Sequence, residues 1–192
     1  WIGLRTSDPN GGHVEYFRGI RNPIGVKIGP GVQAEQLKEL IERLDPEKEP
    51  GRLTLVHRFG VHEIATGLPP LIAAVREMGR TPLWVCDPMH GNTIINNKGY
   101  KTRKFDAILQ EIQNFFTIHH NEGTYPGGIH LEMTGQDVTE CIGGLKEVTE
   151  DDLKSRYHTY CDPRLNASQS LELAFLMSEF LKEERTRIQH WI

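Results

Sequence analysis

One short stretch constrains the fold of this chain more than any other: the apolar run Leu83–Cys86 and the polar, glycine-containing turn at residues 87–93 that follows it. A short apolar run bounded by turn residues is typical of a buried strand. Because Pro88 disfavours the helical conformation in the residue before it, the chain must leave this strand in an extended conformation. His90 is therefore expected just beyond the carboxyl end of a strand, where α/β proteins build their functional sites.

Two further segments repeat this pattern of an apolar run and a polar turn. Residues 127–135 leave Glu132 at the end of a predicted strand. Residues 160–166 contain a second Asp-Pro turn, which includes Asp162. Together with His90, these carboxylates form a mixed nitrogen and oxygen set that suits zinc, manganese or iron better than calcium. Each residue alone is more often a turn former or a solvated side chain, so the spacing leaves both a metal site and three structural residues open.

The rest of the chain alternates predicted strands with amphipathic helices, which is typical of a parallel sheet in either a doubly wound fold or a (β/α) barrel. No glycine-rich nucleotide-binding motif follows the first strands, and polar side chains follow nearly every strand, so the barrel is favoured. The predicted strands are residues 1–4, 24–28, 53–56, 83–86 and 129–133. Five helices are predicted. Two of them contain residues 37–44 and 105–116, and the others begin at Pro69-Pro70, after Thr149, and near Asn166 or Ser168.

The number of predicted strands limits this barrel. A closed barrel of the TIM type needs eight strands. Residues 1–192 are therefore expected to form one α/β domain of the (β/α)8 type in which only about the last five β/α units are present.

Three cations, Arg5, Lys27 and Arg58, lie at or near the ends of different predicted strands. In a barrel they would converge on the same mouth as the candidate ligands, where they suit a phosphate or carboxylate group. The alternative is a set of solvated charges, which applies most to Arg5. It applies least to Lys27, because a lysine inside a buried strand needs a partner or a function.

A second pair of cations, Lys101 and Arg103, ends a long loop predicted over residues 91–103. These side chains could reach another anionic group or lie at the surface. His57 and Cys86 are assigned no role.

Composition sets limits on partners and location. With 192 residues and a formal net charge of -4, the chain has enough length for a sizeable core and gives no indication of a nucleic-acid or anionic-membrane partner. No apolar run reaches the ~18 residues of a membrane span, and no signal peptide is evident. Three widely spaced cysteines indicate a reducing compartment rather than a disulfide framework.

Longer motifs add a family resemblance. They are NPIGVK (residues 22–27), PGRLTLV (50–56), DPMHGNT (87–93), KTR (101–103), PGGIHLE (126–132), VTECIGG (138–144) and CDPRLN (161–166). Through these motifs, nearly the whole chain resembles the class II (plant-type) 3-deoxy-D-arabino-heptulosonate 7-phosphate (DAHP) synthases. The resemblance implies a (β/α)8 barrel that condenses phosphoenolpyruvate with erythrose 4-phosphate, the first step of the shikimate pathway towards aromatic amino acids.

The resemblance also implies roles for single residues. Three positions match ligands of a divalent metal, Mn²⁺ or Co²⁺: His90, Glu132 and Asp162. Three positions match cations that hold phosphoenolpyruvate: Arg5, Lys27 and Arg58. No further catalytic residue is assigned. In the implied reaction, C3 of the enol phosphate attacks the aldehyde, water adds at C2, and phosphate leaves.

Two departures from the family pattern qualify this prediction. Leu4 stands where the family has a glutamate, and the family's fourth metal ligand, a cysteine, lies in an N-terminal region that this chain does not span. The chain is therefore expected to be the C-terminal portion of a cytoplasmic (in plants, plastid) enzyme that is homo-oligomeric or completed by an N-terminal half. Two alternatives stay open: a non-catalytic barrel module that binds a metabolite or a partner chain, and a different metal-dependent aldolase that uses phosphoenolpyruvate.

Overall fold

The computed structural model describes residues 1–189, which fall into two compact units. Unit 1 comprises Trp1–Gly91 and Asn114–His130, and unit 2 comprises Asn92–Gln113 and the residues from Leu131 onward. The strands are β1 (Ile24–Ile28), β2 (Leu53–His57), β3 (Leu83–Cys86), β4 (Thr93–Ile95), β5 (Lys101–Arg103) and β6 (Pro126–Ile129). The α-helices are α1 (Gly12–Arg18), α2 (Ala34–Leu44), α3 (Ile64–Glu77), α4 (Phe105–Asn121) and α5 (Ala167–Gln189).

Unit 1 is built on a four-stranded parallel sheet in the order β1-β2-β3-β6. Strands β1 and β2 are rich in β-branched and aliphatic residues that are almost entirely buried, as expected of a sheet covered on both faces. The registers place Ile28 beside His57 and His57 beside Cys86, so the carboxyl ends of these three strands lie side by side. This confirms the α/β class with a parallel sheet and the three predicted strands at β1, β2 and β3.

Two predicted strands differ from the structure. Within residues 1–4, only Ile2 forms a bridge, to Val26, and a 3₁₀ helix begins at Leu4. The strand predicted at residues 129–133 is instead β6, which ends at Ile129. A proline and two glycines disfavour a strand by composition, but an edge strand tolerates proline. Packing also requires the glycine at 127, because a Cβ there would overlap the side chain of Leu83.

The helices of unit 1 follow their apolar patterns. Four residues of α2 recur at helical spacing and are buried: Leu37, Leu40, Ile41 and Leu44. Helix α3 begins at Ile64, five residues before the predicted start at Pro69, and holds both prolines inside it. Buried Ile64 and Leu68 extend the apolar face of this helix, so tertiary packing outweighs the hydrogen bonds that the prolines remove. Helix α1 was not predicted.

Unit 2 contains an antiparallel hairpin, β4–β5, where the sequence predicted a long loop. Helix α5 begins where it was predicted, after Asn166. The side chain of Asn166 accepts a hydrogen bond from the Gln169 N–H (2.9 Å), and the Gln169 side chain accepts one from the Asn166 N–H (3.1 Å). This reciprocal pair is a capping box. The helix predicted after Thr149 is a three-residue 3₁₀ helix, Asp152–Lys154.

The predicted helix at residues 105–116 is confirmed as part of α4, which contributes residues to both units. Among the residues that the structure describes, none of the helices combines the length and apolarity that crossing a bilayer would require.

Candidate functional site

The turn after β3 is organised by the carboxylate of Asp87, which is completely buried. Its Oδ2 accepts a hydrogen bond from Nζ of Lys27, which also forms an ion pair with it. The same oxygen lies 2.7 Å from Nδ1 of His90. One buried carboxylate thus contacts a predicted substrate-binding lysine and a predicted metal ligand.

The other oxygen of Asp87 shapes the backbone of the turn. Oδ1 accepts hydrogen bonds from the backbone N–H groups of Met89 (3.1 Å) and His90 (3.2 Å). This is the local geometry by which an aspartate closes a turn on its own backbone. The sequence indicates only a turn at the Asp-Pro pair, because the partners of Asp87 Oδ2 include Lys27, which is 60 positions away.

These contacts decide the protonation state of Asp87. Burial by itself would raise the pKa of this carboxyl group, but hydrogen bonds from His90 and Lys27 outweigh burial and hold the pKa well below its usual range. Asp87 is therefore an anion that can only accept hydrogen bonds. Nδ1 of His90 must carry the hydrogen that it shares with Asp87, which in the neutral imidazole puts the lone pair on Nε2.

The remaining predicted cations of unit 1 differ in their surroundings. Arg58 follows β2, and its Nη2 donates a hydrogen bond to the backbone carbonyl of His90 (3.3 Å). Arg5 lies in the 3₁₀ helix Leu4–Thr6 and is exposed, and no ion pair of Arg5 is found among residues 1–189. Unit 1 therefore brings Lys27 and Arg58 to the turn that carries His90, while no such contact of Arg5 is found in the described part of the chain.

Two glycines allow the turns after β2 and β3 to approach each other. Gly60 has a φ of +87°, and a Cβ on Gly91 would overlap the backbone of Gly60 and Phe59. A side chain at either position would push the two turns apart. This close approach holds Arg58 near the backbone of His90.

In unit 2, the guanidinium of Arg103 faces the other two predicted metal ligands. Arg103 is completely buried, and its Nη1 donates hydrogen bonds to Oε2 of Glu132 (2.5 Å) and to the backbone carbonyl of Pro163. Nη2 lies 3.8 Å from Oδ1 of Asp162, which also pairs with Lys101 at 2.6 Å. Of the two alternatives left open for Arg103, an anionic partner or a place at the surface, the surface is wrong, because the folded chain encloses this side chain between the two carboxylates.

A second buried carboxylate holds the segment that carries Asp162. Glu140 is buried and binds the guanidinium of Arg164 through both oxygens, at 3.0 and 2.8 Å. It also accepts the backbone N–H groups of Arg164 (2.9 Å) and His158 (3.2 Å). Burial would raise the pKa of Glu140, but the hydrogen bonds from Arg164 lower it overall. Glu140 therefore ties down the chain on both sides of Asp162.

Glu132 and Asp162 line one open cavity of about 650 Å³ within unit 2, together with Arg164 and Tyr160. Their carboxylate oxygens lie within 4.8 Å of each other. The side chains are 26% and 28% exposed, so both are accessible to a small ligand. Two adjacent, accessible carboxylates are suitable ligands for a divalent cation.

Another pair of side chains, His57 and Cys86, lies in the core of unit 1. His57 is completely buried, and among the described residues neither of its ring nitrogens has a hydrogen-bond partner. Burial lowers the pKa of His57 to about 3, so this histidine is neutral at pH 7. Its ring packs on Phe115 with centroids 5.1 Å apart. These contacts are those of a core residue.

Comparison with known proteins adds independent information. A sequence model of the class-II DAHP synthetase family matches residues 1–178. Phospho-2-dehydro-3-deoxyheptonate aldolase AroG of Mycolicibacterium smegmatis is 55% identical over 183 residues, which are 95% of this chain and 39% of that protein. Phospho-2-dehydro-3-deoxyheptonate aldolase of Streptomyces coelicolor is 53% identical over 184 residues, 96% of this chain and 41% of that protein. The chain thus spans about two fifths of the length of these relatives.

Proposed function

We propose a function from one premise: this chain belongs to the class-II DAHP synthetase family. The proposed function is that of a DAHP synthase, which condenses phosphoenolpyruvate with erythrose 4-phosphate. Residues 1–192 would form the C-terminal part of a single (β/α)8 barrel domain. The four-stranded parallel sheet, with functional side chains following its strands, supports this architecture.

The proposed metal ligands are His90, Glu132 and Asp162. The observation that carries the proposal is the environment of each donor: His90 presents Nδ1 to Asp87, and Glu132 and Asp162 offer carboxylate oxygens within 4.8 Å of each other. A carboxylate is one of the usual partners of the second ring nitrogen of a metal-binding histidine. One imidazole and two carboxylates suit Mn²⁺ or Co²⁺. When bound, such a cation supplies a Lewis acid for the aldehyde carbonyl.

The proposed phosphoenolpyruvate ligands are Arg5, Lys27 and Arg58. Lysine has three N–H donors, so Lys27 can remain paired with Asp87 and still donate to an anionic oxygen of the substrate. Arg58 and Arg5 offer planar forks that match a phosphate or a carboxylate. Held by these cations, the enol phosphate would present C3 to the aldehyde carbon, and water would add at C2 before phosphate leaves.

The non-catalytic alternative is not favoured, because both relatives are named as aldolases. We also propose that the chain acts as a homo-oligomer or together with an N-terminal half. The proposed location is the one that the resemblance implies, the cytoplasm or, in a plant, the plastid.

The test combines calorimetric titration of the 192-residue chain with Mn²⁺ and an assay of phosphate release from both substrates. His90→Ala is compared with His13→Ala, a change of the same kind at an exposed position. We expect Mn²⁺ binding that His90→Ala weakens and His13→Ala leaves unchanged. Metal-dependent phosphate release is expected from the chain, or from the chain supplied with the N-terminal part of a relative. A folded chain that does not bind Mn²⁺, or phosphate release that His90→Ala leaves intact, would overturn the proposal.

A further inference from the structure

We propose that Asp87 is a positioning residue that couples two functions of the site: it orients His90 as a metal ligand and holds Lys27 for the anionic substrate. The inference rests on the proposed function and extends it to a residue outside the predicted ligand sets. Because Asp87 is completely buried, it acts through its neighbours rather than by touching substrate or metal.

The first part of the argument concerns His90. A metal-binding imidazole must present a lone pair, and the position of that lone pair depends on which ring nitrogen carries the hydrogen. The 2.7 Å contact between Asp87 Oδ2 and Nδ1 fixes the hydrogen on Nδ1 and the lone pair on Nε2. The contact of Asp87 Oδ1 with the backbone N–H of His90 also fixes the main chain of the ligand. One side chain therefore sets both the tautomer and the placement of the imidazole.

The second part concerns Lys27. Its ammonium group lies in the sheet core with a side chain only 9% exposed, where an unpaired charge would be costly. The ion pair with Asp87 offsets the cost of this buried charge and directs Nζ of Lys27 to the strand end. The face of Trp1 lies 5.6 Å from the same ammonium and restricts it further.

Sharing one oxygen makes the two functions dependent on each other. Lys27 and His90 both contact Oδ2 of Asp87, so replacing this carboxylate affects the metal ligand and the lysine together. A purely structural turn former would instead affect folding and leave the two affinities of the folded protein unchanged. Measuring the affinities for Mn²⁺ and for phosphoenolpyruvate in the folded protein therefore distinguishes a positioning role from a purely structural one.

The test uses the full chain, with Asp87→Asn, Lys27→Met and the control Asp151→Asn. Asp151 is an exposed partner of Lys98, so the control makes the same chemical change in a solvated ion pair. Mn²⁺ and phosphoenolpyruvate are each titrated by calorimetry, and ¹⁵N NMR of the histidine ring reports which nitrogen of His90 is protonated.

We expect Asp87→Asn to weaken Mn²⁺ binding by about 10–100-fold, as for other partners of metal-binding histidines, and to weaken phosphoenolpyruvate binding as well. Its His90 ring should lose the uniform Nδ1–H signature. Lys27→Met should weaken only phosphoenolpyruvate binding, and Asp151→Asn should change neither affinity. If Asp87→Asn does not fold, the double variant Asp87→Asn/Lys27→Met is compared with Lys27→Met alone. Neither of these variants has the buried ammonium group, so neither leaves an uncompensated charge in the core.

Failure of this inference is distinguishable from failure of the proposed function. If neither the original chain nor Asp151→Asn binds Mn²⁺, the proposed function fails, and this inference fails with it. If both bind Mn²⁺ and His90→Ala weakens binding while the Asp87 variant keeps the original affinity and ring signature, only the positioning role is overturned.

Discussion

Two charge clusters of the molecule, one around Asp87 and one around Arg103, are built in opposite ways. In unit 1, one buried carboxylate, Asp87, is shared by two nitrogen-bearing side chains. In unit 2, one buried guanidinium, Arg103, faces two carboxylates. Neither buried group belongs to the predicted metal or phosphoenolpyruvate ligands, whereas the side chains that it contacts do.

The difference between the clusters lies in what surrounds the partners of the buried charge. Lys27 is itself almost buried, with its side chain 9% exposed, so it depends on Asp87 for neutralisation. Glu132 and Asp162 are partly open to solvent, and Lys101 also pairs with Asp162. Water can therefore hydrate Glu132 and Asp162 if Arg103 is removed, whereas it cannot hydrate the buried Lys27 if Asp87 is removed. The cluster in unit 1 should be the more fragile of the two.

The largest expected effect is that of Asp87→Ala on the free energy of unfolding. Removing one partner of a buried ion pair leaves Lys27 uncompensated and costs about 3–5 kcal/mol. Urea denaturation followed by circular dichroism measures the loss. Asp151→Ala, at an exposed and solvent-screened ion pair, should lower the free energy of unfolding far less. Equal losses for the two variants would contradict the burial argument.

Arg103→Met is expected to have a smaller effect, about 1–3 kcal/mol of unfolding free energy, because its orphaned carboxylates can still be hydrated. The same denaturation assay applies, with Arg156→Met as the control at an exposed ion pair. A loss as large as that of Asp87→Ala would break the contrast between the two clusters.

Acid should destabilise unit 1 before unit 2. Burial lowers the pKa of His57 to about 3 and that of His119 to about 4, both from an ordinary 6.5. Because the pKa values of both histidines are lower in the folded than in the unfolded state, their effect on the free energy of unfolding depends on pH. That free energy is not reduced by them above pH 6.5, and it falls as pH drops towards 4. Within this window each histidine contributes a slope of about 1.4 kcal/mol per pH unit.

Hydrogen exchange read separately on peptides of β2 and α5 checks this prediction. Faster exchange between pH 6.5 and 4 should appear first in β2, and His57→Phe should reduce the pH dependence there. The phenyl ring is a suitable replacement because His57 already packs against Phe59 and Phe115. Simultaneous loss of protection in both peptides would contradict the assignment to unit 1.

The smallest expected effect is that of Leu4→Glu, which introduces the carboxylate that the family resemblance predicts at this position. A Cβ on Gly29 would lie 3.4 Å from Cδ2 of Leu4 and 3.2 Å from Cγ of Arg58, so the two side chains flank the same glycine. A glutamate there can pair with Arg58, a contact worth roughly 0.2–1 kcal/mol at a partly exposed position. Thermal unfolding measures the gain, which should vanish when Arg58→Met is added. A gain that survives this second change would show that another partner is responsible.

Prediction of the fold from sequence succeeded where a local pattern determined the element. The spacing of Leu37, Leu40, Ile41 and Leu44 was enough to predict α2, and the short apolar runs were enough to predict β1 to β3. It failed where packing overrode local preference, as in the proline-containing start of α3 and the glycine-rich β6. Those elements form because neighbouring segments bury or require their residues.

For the candidate site, the sequence by itself determined which side chains follow the strands, because strand period and turn chemistry act over a few residues. Only the tertiary structure decided which charge is buried and which groups it pairs with. Lys27 and Asp87 are 60 positions apart, and Arg103 and Glu132 are 29 apart. Burial arises from the packing of such distant segments, and an interior charge persists only where that packing supplies a partner.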